Sequence, residues 1–185
     1  MPDSKKVSAG KPNISGAIWV APLGTLLPKN ATDKLDKAFK ELGYVSDGGV
    51  KNSTKKTSNT KKAWGGDIIL TTSSGQEDTF KFMLVESLNL EVLKFIYGED
   101  NVTGDLDTGI KISVNASPRK DYVLVIETIL QGGYLKRMLI PTASITETGE
   151  ITYKDDDMIG YDVTVMGKAD TTGNSHYEYI NKKAD

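Results

Sequence analysis

The chain of 185 residues contains no cysteine and a single histidine, His176. The absence of cysteine excludes disulfide scaffolds, thiol nucleophiles and cysteine-based zinc sites, and one histidine excludes paired-histidine metal sites. Sequence motifs of phosphate-binding loops, dinucleotide-binding folds and serine hydrolases are also missing. We therefore expect no enzyme and no cofactor, and we interpret His176 as a surface or edge-strand residue.

Long apolar runs are missing as well. The stretch at 17–27 (AIWVAPLGTLL) is interrupted by Pro22 and Gly24, is too short to span a bilayer and lacks an A-x-A-like cleavage site. Neither a membrane span nor a secretory signal is predicted, so we expect a soluble protein made inside the cell. The content of 38% hydrophobic and 26% charged residues is typical of a globular protein, and the length suits one domain over 1–185.

The apolar pattern is mainly that of short β-strands. Residues 109–116 alternate between apolar and polar side chains, whereas 121–130 is more continuously apolar and is predicted to be a central strand. Gln131-Gly132-Gly133 then predicts a hairpin. Because no strand-helix-strand rhythm is visible, we predict an antiparallel β-sandwich or barrel with one or two short peripheral helices. The other predicted strands are 16–21, 64–72, 76–86, 134–146, 158–168 and 176–180.

Two helices are predicted from capping residues and apolar periodicity. In the first, at 32–42, Thr32 is a suitable N-cap and Gly43 follows the last turn. The second begins after Asn89 and runs through LEVLKFIY to Gly98. The apolar stripe of the first helix consists of Leu35, Ala38, Phe39 and Leu42.

Two polar segments do not fit a packed domain, namely an N-terminal arm at 1–15 and an extended loop at 46–63. The loop has five lysines and no acidic residue after Asp47. Loops of this length are usually functional or disordered. Nucleic-acid binding is one interpretation, although Tyr44 and Trp64 lie outside the lysine run, and a mobile solvated hairpin is another. We favour a third, in which another copy of the chain orders both segments. The five lysines are Lys51, Lys55, Lys56, Lys61 and Lys62.

The net charge of −2 conceals an asymmetry between the two halves of the chain. Residues 1–92 carry 13 lysines and 10 acidic residues, whereas 93–185 carry 10 basic and 15 acidic residues. The acidic segments 99–107 and 154–157 lack the spacing of a calcium-binding loop, so we interpret them as solvated loops. Opposite charges on the two halves favour contacts between copies. The acidic candidates are Glu99, Asp100, Asp105, Asp107, Asp155, Asp156 and Asp157.

Three strings in the sequence are similar to those of a known family. They are GAIWVAPLGTLLP at 16–28, TDKLDKAFKELGYVSDGGV at 32–50 and ESLNLEVLKFIYGEDNVT at 86–103. Together they resemble the major tail proteins, or tail tube proteins, of bacteriophages with long non-contractile tails. The resemblance covers residues 16–117 and continues more loosely through the strand-rich remainder.

The resemblance implies a structural virion protein that forms hexameric rings, stacked into the tail tube through which DNA is ejected into the host. It implies the tape-measure protein and the tail-tip and tail-terminator proteins as partners, transient non-specific passage of double-stranded DNA, and no membrane partner. The protein would be made in the host cytoplasm and located in the phage tail. In this family the long loop after the first helix tends to reach the adjacent ring, which agrees with our interpretation of 46–63.

On this basis we expect the five lysines to face the acidic segment 99–107 or 154–157 of a neighbouring copy. We expect a neutral or acidic tube lumen, because a basic wall would retain DNA. The alternative is a β-sandwich binding module, such as a virion decoration protein or an adhesin-like receptor or glycan binder. That alternative predicts a monomer or small closed oligomer with an exposed aromatic cluster, for which Tyr177 and Tyr179 are the candidates.

Overall fold

The computed structural model describes residues 2–13 and 16–183. In this part, the chain is mainly antiparallel β-sheet with one α-helix, α1 (Leu90–Tyr97), and two 3₁₀ turns (Ser4–Lys6 and Glu99–Asn101), as the sequence predicts. No helix in these ranges is long and apolar enough to cross a membrane. The strands are β1 (Lys11–Pro12), β2 (Ile18–Pro22), β3 (Lys40–Glu41), β4 (Lys51–Lys62), β5 (Ile68–Leu84), β6 (Val102–Thr103), β7 (Lys111–Ile112), β8 (Tyr122–Leu130), β9 (Tyr134–Thr148), β10 (Tyr161–Gly167) and β11 (Tyr177–Lys182).

The β8–β9 hairpin lies at the centre of the main sheet. Strands β2 and β1 pair along the free side of β8, and β10 and β11 pair along the free side of β9. Beyond β10 follow β5 and then β4, the outermost strand. The predictions of a central strand and of a hairpin turn are confirmed. Gly132 and Gly133 of this turn have φ values of 78° and 76°, a left-handed conformation that glycine adopts without steric cost.

Residues 40–46 connect one end of the main sheet with β5, the strand next to its other end. At one end, β3 pairs with β2. A few residues later, Ser46 N donates a hydrogen bond to Met83 O of β5 (2.9 Å), and an isolated bridge joins Val45 to the same strand. Backbone hydrogen bonds therefore close the sheet around its interior.

The central strands are buried on both faces, which explains why their sequences are continuously apolar. On β8, Leu124 and Ile126 point to one side, and Val123 and Val125 point to the other. The inner cluster lies inside the closed sheet and includes Phe80, Phe82, Val163, Val165 and the buried face of α1. The outer cluster lies on the opposite side and consists of Ala21, Phe39, Val123, Val125 and Leu139.

The second predicted helix is confirmed as α1. The Asn89 side chain accepts a hydrogen bond from the backbone N–H of Glu91 (3.0 Å), as an N-cap does. The helix ends at Gly98, whose φ of 97° is outside the helical range and whose N–H donates to Lys94 O (2.8 Å). Its buried residues, which face the inner cluster, are Val92, Leu93, Phe95 and Ile96.

The first predicted helix, at 32–42, is wrong. The side-chain oxygen of Asn30 accepts hydrogen bonds from the backbone N–H groups of Thr32 (2.8 Å) and Asp33 (2.7 Å). The carbonyl of Asp33, which a helix would use internally, instead accepts from Arg137 (2.9 Å). Local side-chain bonds of this type compete with helix formation, and a distant arginine completes the alternative.

The apolar stripe of this segment is nevertheless used for packing. Phe39 is buried in the outer cluster, with Leu35 packed against it, whereas Leu42 is buried in the inner cluster. The chain therefore passes from one face of the sheet to the other within a few residues. A helix would place all of these side chains on one face.

Three further expectations need correction. Instead of the two strands predicted at 64–72 and 76–86, the structure has one continuous strand, β5, which begins at Ile68 and ends at Leu84. The extended loop at 46–63 contains β4 over most of its length. The predicted strand at 109–116 is reduced to β7, because β6 is its partner over two residues only and Val114 beyond it is exposed.

The N-terminal arm is held by the same chain. β1 pairs with β8, with Lys11 opposite Ile129. Contrary to expectation, no second copy is needed to place this part of the arm. Met1, residues 14–15 of the arm and residues 184–185 lie outside the described ranges.

A buried ion pair fixes the arm and the segment after β2 to the central hairpin. Arg137 of β9 is 5% exposed and its Nε donates to Glu127 Oε1 of β8 (2.9 Å). Arg137 also donates to the carbonyls of Asn30 and Asp33, and Glu127 Oε2 accepts from Asn13 Nδ2 (2.9 Å). Because these additional hydrogen bonds compensate the burial of both charges, the pair links three segments of the chain.

We expect Arg137→Ala to lower the free energy of unfolding by about 3–5 kcal/mol, because it leaves the Glu127 carboxylate buried without a counterion. The matched control is Lys168→Ala, which removes a more exposed ion pair with Asp121 (2.8 Å). The control substitution should lower the free energy of unfolding by less than about 1 kcal/mol. Urea denaturation followed by tryptophan fluorescence measures both, and equal losses would contradict the assignment.

Candidate interaction surface

Strands β4 and β5 form a hairpin that continues beyond the core. Its turn lies at 63–67, where Ala63 N donates to Asp67 O (2.8 Å). On β5, Phe80 and Asp78 are fully buried, but the described residues from Gln76 back to the turn are exposed, and all of β4 is exposed. The lysine segment is therefore ordered by pairing with its own chain, while its side chains remain available to a partner.

The five lysines project from both faces of this hairpin. Side chains alternate along a strand, and the register shifts at Thr57/Ser58 and Lys61/Lys62 are extra residues on β5, so the alternation of β4 is uninterrupted. Asn52 lies opposite the buried Phe80, which places the even-numbered positions on the core-facing side. A flat partner surface can therefore contact at most three of the five. The even face carries Lys56 and Lys62, and the odd face carries Lys51, Lys55 and Lys61.

The two acidic segments lie near the C-terminal end of α1. Segment 99–107 begins directly after this helix, and segment 154–157 precedes β10. The rings of Tyr97 and Tyr161 meet edge to face with centroids 6.2 Å apart. Burial raises the pKa of Tyr97, and the proximity of Tyr153 raises it further. We refer to residues 99–107 and 153–158 together as the acidic surface.

Part of the acidic charge is engaged within the chain. Asp100 pairs with Lys120 (3.1 Å), and their hydrogen bond raises the pKa of Lys120. Asp105 Oδ1 accepts from the Thr108 hydroxyl (2.7 Å), which lowers the pKa of Asp105. Asp157 accepts from the backbone N–H that follows it. Across the described residues, no ion pair joins the β4 lysines to these acids, so one chain does not bring the two surfaces together.

Sequence reasoning missed the apolar side chains at the far end of the hairpin. Trp64 in the turn is fully exposed, and the first three residues of β5 are more than half exposed. The signal was present in the string WGGDIIL, which we interpreted only as the start of a strand. The exposed β5 residues are Ile68, Ile69 and Leu70.

A second missed feature is the polar network at the base of the hairpin. Asp78 is completely buried and accepts hydrogen bonds from Asn52 Nδ2 and Thr54 Oγ1 of β4 (2.9 Å each). It also accepts from Ser175 Oγ (2.9 Å) and contacts His176 Nδ1. The His176 side chain is 19% exposed and packs edge-on against a core phenylalanine, so it is not a surface residue. It directly precedes β11, which pairs with β9 on one side, and this position agrees with the edge-strand alternative.

The network affects the ionisation of Asp78. Burial alone would raise the pKa of this carboxyl group, but hydrogen bonds from Asn52, Ser175 and Thr54 and the proximity of His176 outweigh burial and lower the pKa below its ordinary 3.8. The stabilisation is therefore present above the unfolded-state pKa and is lost as the pH falls through the lower folded-state value.

Tyr177 and Tyr179 do not form the exposed aromatic cluster that a binding module would need. Their rings are parallel (5°) with centroids 6.4 Å apart, and both are half-buried against the outer cluster. The described part of the chain also has no group of three or more His, Asp or Glu side chains that could hold a metal ion.

We expect Asp78→Asn to lower the free energy of unfolding at neutral pH by about 1.5–3 kcal/mol, because a charged acceptor of several hydrogen bonds is replaced by a neutral one. The difference from the wild type should narrow as the pH falls below 3.8. Denaturation curves at a series of pH values measure this change, with Asp157→Asn as an exposed control. A difference independent of pH would contradict the role of the ionised Asp78.

Comparison with known proteins adds the family. The model of a family described as "Phage tail tube protein" matches residues 3–185. One similar solved chain comes from a cryo-EM structure of an extracellular contractile injection system, the PVC sheath-tube complex in the extended state. The match covers 92% of this chain and 93% of that chain, with 9% sequence identity and a TM-score of 0.41. No curated relative matches. Because the family model covers nearly the whole chain, the protein belongs to the phage tail tube protein family.

Proposed function

We propose that this protein is a structural virion subunit that assembles into hexameric rings, and that the rings stack into a tail tube through which DNA is ejected into the host. The observation that carries this proposal is the family match over residues 3–185. A structural tail tube role follows from the family. The hexameric ring and the passage of DNA are the finer parts of the proposal.

The distribution of exposed groups supports self-assembly. A tube requires head-to-tail contacts, in which one surface meets a different surface of the next copy and the series does not close along the axis. The β4–β5 hairpin is a basic projection, and the acidic surface lies elsewhere on the same chain. Two separate surfaces of opposite charge are suited to a contact of this type.

The alternation along β4 narrows the original charge hypothesis. We assign the contact with the acidic surface of a neighbouring copy to the odd face of β4, because that face carries three lysines and the even face carries two. Glu77, opposite Lys55, reduces the positive charge in the middle of the odd face. The positive charge of the odd face is therefore concentrated at its two ends, Lys51 and Lys61.

Other parts of the proposal rest on the family alone. The tape-measure protein would occupy the growing tube, and the tail-tip and tail-terminator proteins would bind its ends. Double-stranded DNA would pass transiently and without sequence preference. A neutral or acidic lumen wall would favour this passage, because a basic wall releases counterions from DNA and retains it. The protein would be made in the host cytoplasm as a single domain over 1–185.

Purified protein at high concentration should form rings or tubes. Negative-stain electron microscopy over a concentration series detects them, and light scattering follows the same samples in solution. Rings with six subunits in class averages would support the hexamer. Discrete monomers at every concentration would contradict self-assembly.

Charge reversal tests the odd-face assignment. Lys51, Lys55 and Lys61 are changed together to Glu, and the matched control changes Lys56 and Lys62 to Glu. Since β4 is exposed over its whole length, both variants should fold. We expect the odd-face variant to stop polymerisation and the even-face variant to polymerise, with a salt-sensitive wild type. Normal polymerisation of the odd-face variant, or equal loss in both, would contradict the assignment.

A further inference from the structure

The tip of the β4–β5 hairpin combines exposed apolar and basic side chains. Trp64 has a relative exposure of 107%, and Ile68 and Leu70 are 61% and 52% exposed. The last rungs before the turn pair Lys62 with Ile68 and Lys61 with Leu70. Contiguous exposed apolar groups beside charged ones mark interaction sites in soluble proteins.

The tip is too far from the core to be covered by its own domain. Among the described side chains of β5, the first buried one in chain order is Asp78, ten positions after Ile68. At a rise of about 3.3 Å per residue, the tip lies about 30 Å further along the strand. The turn is itself hydrogen-bonded, with Gly66 N donating to Ala63 O (3.0 Å). Trp64 is therefore presented on a formed turn at the end of an exposed arm.

The acidic surface has the complementary composition. Leu106 is exposed between Asp105 and Asp107, and Tyr153 and Met158 are exposed on either side of the acidic run 154–157. Single exposed apolar residues are ordinary. Here, however, Leu106 and Met158 directly adjoin aspartates in the sequence, and only Lys154 separates Tyr153 from Asp155. At the hairpin tip, Ile68 and Leu70 lie opposite Lys62 and Lys61.

We propose that the hairpin tip of one copy docks on the acidic surface of a second copy. Trp64 and Leu70 are covered by Leu106, Tyr153 and Met158, while Lys61, on the same face as Leu70, lies beside the surrounding carboxylates. The inference rests on the proposed self-assembly and names the residues of its contact. We assign the partner as a second copy because the chain carries both complementary surfaces. The hairpin tip is apolar and basic, and the acidic surface is apolar and acidic.

The expected energetics assign the central role to the tryptophan. A buried aromatic side chain removes a large area from water, and interface energy is concentrated in a few central residues, often tryptophan. Lys61 at the rim contributes orientation and association rate more than affinity. Apolar burial therefore supplies most of the affinity of the contact, and charge fixes the orientation of the two surfaces.

Trp64→Ala tests the proposal, with Leu88→Ser as the control, because Leu88 is also a large exposed apolar residue (68%) but lies on neither surface. We expect Trp64→Ala to raise the protein concentration needed for polymerisation at least tenfold, a loss typical of a central interface residue. The control should polymerise as the wild type does. On the receiving side, Leu106→Ser combined with Met158→Ser should give the same loss as Trp64→Ala. Unfolding curves verify that all variants are folded.

Fluorescence provides a second readout. The chain has two tryptophans, and Trp19→Phe leaves Trp64 as the only reporter. The indole N–H of Trp19 is buried without a hydrogen-bond partner in the described structure, so this change removes no hydrogen bond. The emission of Trp64 should shift to the blue as protein concentration rises. A shift caused by adding duplex DNA at a low protein concentration would overturn the assignment to a second copy.

The outcomes separate this inference from the proposed function. Wild-type tubes together with unchanged polymerisation of Trp64→Ala would overturn tip docking and leave the tail tube proposal standing. If Trp64→Ala impairs polymerisation but the Leu106/Met158 variant polymerises normally, the assignment of the acidic surface as the receiving site is wrong. Absence of any wild-type assembly would reject the tail tube proposal itself.

Discussion

Burial of the β8–β9 hairpin on both faces is the constraint on which the rest of the fold depends. Because both faces of this strand pair are apolar, each face must pack against another part of the chain, and a different part packs on each face. The closed sheet and α1 cover the inner side, and the segment after β2 covers the outer side with Phe39. The Arg137–Glu127 pair holds the second cover in place. The β4–β5 hairpin covers neither side beyond its base, which leaves it free to serve as an interaction arm.

Features with local causes could be predicted from the sequence. Strand β8 has a continuous apolar run, its turn has two glycines, and α1 has a capping asparagine and a terminal glycine. The helix at 32–42 failed because its periodicity is also compatible with a chain that crosses from one cluster to the other. The interactions that decide between the two come from Asn30, just outside the segment, and from Arg137, more than one hundred positions away.

The candidate site was predictable in composition and not in geometry. Charge alone identified the lysines and the acidic segments, because exposed charges need no tertiary context to be recognised. The division of the lysines between two faces required the register of β4 against β5. The pairing of Asp78 with His176 spans 98 positions, so no local pattern could indicate it. The apolar residues of the tip are evident in the sequence, but their exposure depends on how far the hairpin extends past the core.

The network around Asp78 has a mechanical consequence. The described residues at the outer end of the hairpin are exposed and lie beyond the core, and the base of the hairpin is held by hydrogen bonds to the buried carboxylate of Asp78. Asp78 receives bonds from β4 on one side and from Ser175 and His176 on the other. A force on the tip is thus transmitted both to β10, through its backbone pairing with β5, and to residues 175–176 before β11, through Asp78. We therefore expect bending to be confined to the exposed arm.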